Sequence, residues 1–439
     1  MKPEKTFILL LIYFVILNGY IYSTGTYFLN GFLLLITGLI SLFLFSSGIK
    51  IPGKIIGVNP DLFAKIILVL SIGLTIILLD TTTILEPGLT RLSYFFFVFL
   101  NIFKFVLFIA LILSLTYLGE KSRIKSRFKY LLLISLFLSI AIILMSPNPY
   151  IDTFVGIKEG VLMLFRGINP YANKIDNIPL SPSYSSYFSY WPSVLLFNAP
   201  FVFLSGDPRF TSIVANMITA IVMHKILKKN SSGGSFSEIL PLIYLFNPVS
   251  FLIIWKSWID PLAICLFTLF VYFLLSNRRF ISLIFLALAT MTRQNLFLVW
   301  PLVWKFLPFK KRNIISLILP FLILMLPFYF WNPADFINNG ILRYAAHFAP
   351  RYDSLSLNTF VHSFSSQDLD KRVYFGILSL IYGIVFVKMK RSLTGLILSS
   401  TVILFAVFLL GYFAFLNYYY LISSLILIGI ATYKYESVG

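Results

Sequence analysis

The sequence predicts an all-α protein, a polytopic transmembrane bundle of about 14 spans (12–14) with two large external loops. Three observations carry this expectation. Of 439 residues, 59% are hydrophobic and only 12% charged, with a mean hydropathy of +0.91, too little polarity to cover a water-facing surface. Uninterrupted apolar runs recur, for instance at 6–21, 92–118 and 392–410, with the length a helix needs to cross hydrocarbon and without the alternation of a barrel strand. The formal charge of +19 falls in short clusters at the ends of these runs, as the positive-inside bias predicts, which argues against a nucleic-acid partner.

Taken in order, the first four spans are expected near 6–24, 27–46, 62–80 and 92–118, forming an N-terminal extension over 1–129. The first has no small-residue cleavage site and reads as a retained anchor. Lys50, Lys54 and Lys65 flank the second and third spans, against Asp80, Glu86 and a single Arg91 at the other ends, so the N-terminus is placed inside. Lys121, Arg123, Lys125, Arg127 and Lys129 fix the next connection on the same side, and the fifth span, near 130–146, then exits outward. The segment 147–191 is too polar and too rich in Pro, Ser and Tyr to cross and becomes the first external loop. The run 192–205 is short and holds Pro192, Asn198 and Pro200, which fits a re-entrant or tilted half-span. Spans near 209–227, 239–255, 260–276, 280–293, 295–308 and 313–330 keep Lys228, Lys229, Arg278, Arg279 and Lys310–Arg312 inside and leave 331–372 as the second external loop. Spans near 373–388, 392–410 and 412–433 end the chain with its C-terminus inside, and the whole of 130–439 is expected to be one functional unit in the cell membrane. Cys265 is the only cysteine, so no internal disulfide can hold the loops.

Residues able to do chemistry gather in the external loops. Asp152 follows directly on a span exit, and 152–167 reads as a surface helix with Phe154, Ile157, Val161, Leu164 and Phe165 on its buried side. Asp152, Glu159 and Arg166 recur every seven residues and fall on one stripe, either a site able to deprotonate a hydroxyl and hold a phosphate or the solvated face of an interfacial helix. Tyr171, Tyr190 and Trp191 suit the faces of a sugar ring, or the membrane interface alone. Lys256 and Asp260 are four apart and could be an ion pair capping a helix; Arg293 could hold a lipid-linked phosphate or snorkel to the interface. Arg343, His347, Arg351, Asp353, His362, Asp368 and Asp370 populate the second loop, where a divalent metal is conceivable although no tight ligand spacing is visible and no metal ligand is assigned. No nucleotide-binding loop or serine elbow is present, so a donor or energy source must arrive with the lipid.

The order of these parts resembles the GT-C superfamily of polyprenyl-phosphate-dependent glycosyltransferases, in its prokaryotic mannosyltransferase-like branch. The resemblance runs from about 130 to 435 and rests on the external Asp152, on Gly167-Ile168-Asn169-Pro170-Tyr171, and on Tyr190-Trp191-Pro192. Trp258-Ile259-Asp260-Pro261-Leu262 and Thr292-Arg293 ahead of Pro301 add to it, with Arg351–Ser356 and Asn417–Tyr420 as weaker matches. It implies inverting transfer of a hexose, mannose first, from a polyprenyl- or dolichyl-phosphate donor to a lipid- or protein-linked glycan acceptor on the outer face. Asp152 would be the catalytic base and Arg293, with Lys256, would hold the donor phosphate; Glu159, Arg166, Tyr171, Tyr190, Trp191, Asp260, Arg351 and Asp353 would bind substrate. Two rivals are a transporter or flippase of lipid-linked saccharides and a non-catalytic scaffold of a cell-envelope assembly.

Overall fold

A computed structural model describes residues 3–23, 26–48, 59–81, 93–119, 126–176, 178, 186–230, 234–308, 310–343 and 351–433. Among them the chain is all α-helical, with 19 helices and no strand. Six helices are long and apolar enough to cross a membrane: α1 (Pro3–Tyr22), α2 (Leu29–Ser46), α3 (Pro60–Thr81), α5 (Arg127–Met145), α8 (Arg209–Asn230) and α14 (Lys311–Trp331). The apolar α4 (Ser93–Leu115) and shorter apolar helices join them, including α11 (Asp260–Leu275), α12 (Arg279–Thr292), α18 (Leu393–Leu409) and α19 (Leu416–Thr432). The protein is a multi-pass membrane bundle. Its outer surface carries side chains such as Phe105, Phe330, Leu380 and Val387, each more than half exposed, which is tolerable in lipid and not in water.

Several runs read as single spans are broken. The run 239–255 divides into α9 (Phe236–Leu245) and α10 (Ser250–Trp255) at Asn247-Pro248, where proline has no N–H to continue a helix. Asn247 fills the gap: its Oδ1 accepts from the Val249 N–H at 3.0 Å, and its Nδ2 donates to the Tyr20 hydroxyl of α1 at 2.8 Å. Tyr20 in turn lies 3.2 Å from the Ser423 hydroxyl of α19. The run 295–308 is likewise a 3-10 turn (Gln294–Val299) followed by α13 (Trp300–Phe306), only seven residues long. The half-span expected at 192–205 is α7 (Pro192–Ser205), with Pro200 inside it. The second external loop is far from structureless, holding α15 (Pro333–Asp335), a π-helix (Phe336–Leu342), and α16 (Leu357–Ser365) before α17 (Lys371–Lys388).

One apolar core runs from α1 to α19, so the first helices pack with the last. α1 and α2 approach closely at Gly19 and Gly31: a Cβ on Gly31 would come within 2.6 Å of the Gly19 carbonyl. In lipid, where apolar burial drives helices together weakly, such close backbone contact is a main source of association. A second apolar cluster, made of Ile157, Val161, Tyr171, Ile175, Phe188, Leu195 and Ile259 among others, seats α6 (Asp152–Phe165) on α7.

Candidate functional site

The first external segment is built by local chain chemistry. Asp152 opens α6, where a carboxylate in the first turn complements the helix dipole. At the other end Arg166 is the C-cap, Gly167 takes φ +70°, the Ile168 N–H donates to the Met163 carbonyl at 2.9 Å and the Gly167 N–H to Leu164 at 3.1 Å. This is a Schellman closure, which glycine alone adopts without strain. Asn169 then accepts the Tyr171 N–H at 2.9 Å. Tyr171, fully buried, donates its hydroxyl to the Tyr190 carbonyl at 2.7 Å, accepts Asn339 of the π-helix on its own carbonyl at 2.9 Å, and packs edge-on against Phe188, Phe328 and Phe336. Residues 167–171 therefore clasp the first loop to the π-helix behind α14.

The buried side of α6 differs in part from expectation. Phe154, Ile157 and Val161 are covered, while Phe165 is 52% exposed and meets Phe203 of α7 edge-on. Asp152 and Glu159 are half-buried and Arg166 exposed; Glu159 and Arg166 form no ion pair among the described residues. Asp152 accepts the Thr153 hydroxyl at 3.3 Å and feels the charge of Lys256. Burial nevertheless dominates and raises its carboxyl above the ordinary carboxylate value. Lys256 rests 4.1 Å over the Trp255 ring, whose Nε1 donates to Ser146 at 2.7 Å, bringing the end of α10 beside the exit of α5.

Asp260 does not pair with Lys256. Lys256 caps α10 and Ser257 has φ +55°, so no continuous helix exists across the four-residue interval. Asp260, fully buried, is instead gripped by Arg293, whose Nε and Nη2 donate to Oδ1 at 2.9 Å and 2.5 Å, while Asn417 donates to Oδ2 at 3.0 Å. The Arg293 guanidinium also lies 4.3 Å over the Tyr418 ring. Three separate segments, at 260, 293 and 417–418, are thereby fastened at one point. Next to it the Thr292 and Ser193 hydroxyls lie 3.5 Å apart, and Trp191 is buried edge-on against Phe297 and Phe321.

In the second loop Arg351 donates to both carboxylate oxygens of Asp353, at 2.8 Å and 2.6 Å, and covers the Phe415 ring at 4.9 Å. That pairing holds the Asp353 carboxyl below the ordinary carboxylate value. The Tyr27 N–H donates to the Asp353 carbonyl at 2.9 Å, and Leu355 donates to Ala414 at 2.9 Å, so the loop is docked on the turn that leads into the helix carrying Tyr418. Asp368 accepts from Tyr352 and Asn358, and His362 stacks on Tyr352 at 3.7 Å. His347 lies outside the described residues. Among the described residues no three His, Cys, Asp or Glu side chains converge as a metal site requires.

One buried ion pair escaped the sequence reading. Arg209, fully buried at the start of α8, donates to Asp207 through Nε at 3.0 Å and Nη2 at 2.6 Å, reaches the Ile143 carbonyl at 3.5 Å, and lies 5.1 Å over the Phe154 ring of α6. It braces α6 against the exit of α5. The signal was an Asp-Pro-Arg triplet immediately ahead of an apolar run, where two charges facing lipid would each be costly unless paired.

This face can now be set beside known proteins. Residues 146–344 match the family model of the GPI transamidase subunit PIG-U. The match takes in fewer than half of the 439 residues, but those include Asp152, the 167–171 clasp, Arg209, Asp260, Arg293 and the π-helix. Neither a curated protein nor a solved structure matches the chain. The match overturns the resemblance to GT-C glycosyltransferases, and with it the inverting hexosyltransferase reaction, the mannosyltransferase assignment and the rival flippase. Asp152 as base toward an acceptor hydroxyl and Arg293 as holder of a polyprenyl-phosphate donor belonged to that reaction and go with it. The physical reason lies in what the shared motifs do: Gly167–Tyr171 closes a helix and clasps a loop, Asp260 and Arg293 neutralise each other, and Trp191 fills an aromatic core. Their order reports architecture rather than glycosyl transfer.

Proposed function

We propose that this chain serves as a membrane subunit of a GPI transamidase type of complex, the assembly that attaches GPI anchors to proteins. The observation that supports it is the PIG-U match over 146–344, a segment in which two buried ion pairs, Arg209–Asp207 and Arg293–Asp260, fasten neighbouring helices. A face fixed by buried ion pairs and an aromatic clasp suits a surface against which partner subunits, the GPI lipid and the protein to be modified are positioned. PIG-U family proteins sit in the membrane of the endoplasmic reticulum, so that membrane replaces the cell membrane expected from sequence, with the 147–191 and 331–372 regions facing the lumen. Asp152, Glu159, Arg166, Tyr190, Lys256, Arg351 and Asp353 remain the residues proposed to meet those partners.

The test is genetic and biochemical. Cells lacking the chain should lose GPI-anchored proteins from their surface while still making the GPI lipid, and the tagged chain should recover further subunits from mild detergent. Normal levels of anchored proteins in the deletion would overturn the assignment.

A further inference from the structure

The opposite end of the bundle holds a feature the proposed function does not use. α8 and α11 pack side by side and end together, leaving a cleft of about 160 Å³ lined by Lys225, Ile226, Lys229, Tyr272, Leu275 and Ser276. Lys225 and Lys229 stand one helical turn apart on the same face, and among the described residues neither has a carboxylate within ion-pair distance. Lys228 is their neighbour, and Arg278 and Arg279 follow directly on Ser276.

The basic residues exceed what the positive-inside bias and helix ends require. Two helix C-termini present roughly half a negative charge each. Lys225 and Lys229, which line the cleft, already exceed that partial charge, and Lys228, Arg278 and Arg279 lie next to it in sequence, so the cleft keeps a net positive charge that an anion would offset. The cleft is also amphipathic. Leu275 and the Tyr272 ring, both partly exposed, supply an apolar wall above the buried Ile226, the Tyr272 hydroxyl has no hydrogen-bond partner among the described residues, and the Ser276 hydroxyl is committed to the Tyr272 carbonyl at 2.9 Å. A free inorganic anion would use the charge and leave the apolar wall bare.

We infer that this cleft binds the phosphate of an anionic phospholipid on the cytoplasmic side, with Lys225 and Lys229 on the phosphate, Tyr272 donating to it, and the glycerol and upper acyl chain against Leu275 and the Tyr272 ring. The site is separated from the external face by the thickness of the bundle, so its occupancy is a property of the membrane in which the protein sits.

Native mass spectrometry of the full-length protein tests it with three probes, phosphatidylglycerol, phosphatidylcholine and inorganic phosphate. Phosphatidylglycerol should bind in preference to phosphatidylcholine, and Lys225→Gln with Lys229→Gln should weaken it by about thirty-fold, each lysine near a membrane surface contributing roughly a factor of five. The Lys225→Arg, Lys229→Arg variant should retain binding, which a merely misfolded protein would not. Equal binding of the two lipids, undiminished phosphatidylglycerol binding by the glutamine variant, or inorganic phosphate binding as tightly as the lipid would each overturn the assignment, the last by giving the site to a soluble ion.

Discussion

The pairs Arg293–Asp260 and Arg351–Asp353 have the same chemistry and nearly the same length, 2.5 Å and 2.6 Å, yet they occupy opposite surroundings. Asp260 is fully buried and Arg293 is 11% exposed, whereas Asp353 and Arg351 are 48% and 29% exposed. Water screens the second pair, and such exposed pairs contribute little. The first is shielded, so removing one partner strands a charge where nothing else can solvate it. Geometry alone would rank them together; burial separates a structural fastening from an adaptable surface contact.

The sharpest way to break this comparison is Arg293→Met. It should cost about 3–5 kcal/mol, seen as loss of the monodisperse, thermally stable protein in detergent, and the compensating Arg293→Met, Asp260→Leu double variant should recover most of it. If the single variant behaves like Asp353→Asn, the buried pair is not a fastening. Gly160→Val probes packing in place of charge: its Cβ would sit 2.7 Å from the Phe188 ring, and overpacking of about 1–3 kcal/mol should loosen α6 from α7, read as faster proteolysis within 147–191. Asp353→Asn should cost no more than about 1 kcal/mol, and less in high salt. Because Arg351 depresses the Asp353 carboxyl, that contribution is present above the ordinary carboxylate value and is lost as pH falls through the lowered one.

Asp152 should give the smallest effect, of opposite sign. Its carboxyl is raised by burial, so the folded protein holds the proton to higher pH than the unfolded chain, and stability falls as pH rises between those two values. Asp152→Asn should therefore raise the melting temperature slightly at neutral pH, and the gain should vanish below about pH 4, where the unfolded carboxyl is itself protonated. A loss of stability at neutral pH would show that Asp152 is held by a partner charge rather than penalised by burial.

Long apolar runs were legible because span length and lipid-facing composition are local properties, as α1, α2, α5 and α14 illustrate. So was α6, whose first residue, Asp152, was placed by its position after a span exit. The partner of Asp260 was not legible: a four-residue spacing suggested Lys256, but the left-handed turn at Ser257 removes the helix on which that spacing depends, and Arg293 is 33 residues away. Functional class failed for a related reason. The motifs that suggested glycosyl transfer are the ones that close helices and fasten loops, and a fold-level pattern of this kind says how a face is built rather than what reaction occurs on it.

The break between α9 and α10 has a consequence for how the chain is made. Asn247 carries an amide into the interior of the bundle, and the hydroxyls that satisfy it belong to Tyr13 and Tyr20, at 3.5 Å and 2.8 Å. Ribosomal synthesis delivers α1 more than two hundred residues earlier, so the receptor for this polar gap is already in the membrane when the gap emerges. Ser423, which closes the set, arrives last. The order of the sequence thus makes the early helix available to satisfy a polar gap that emerges later.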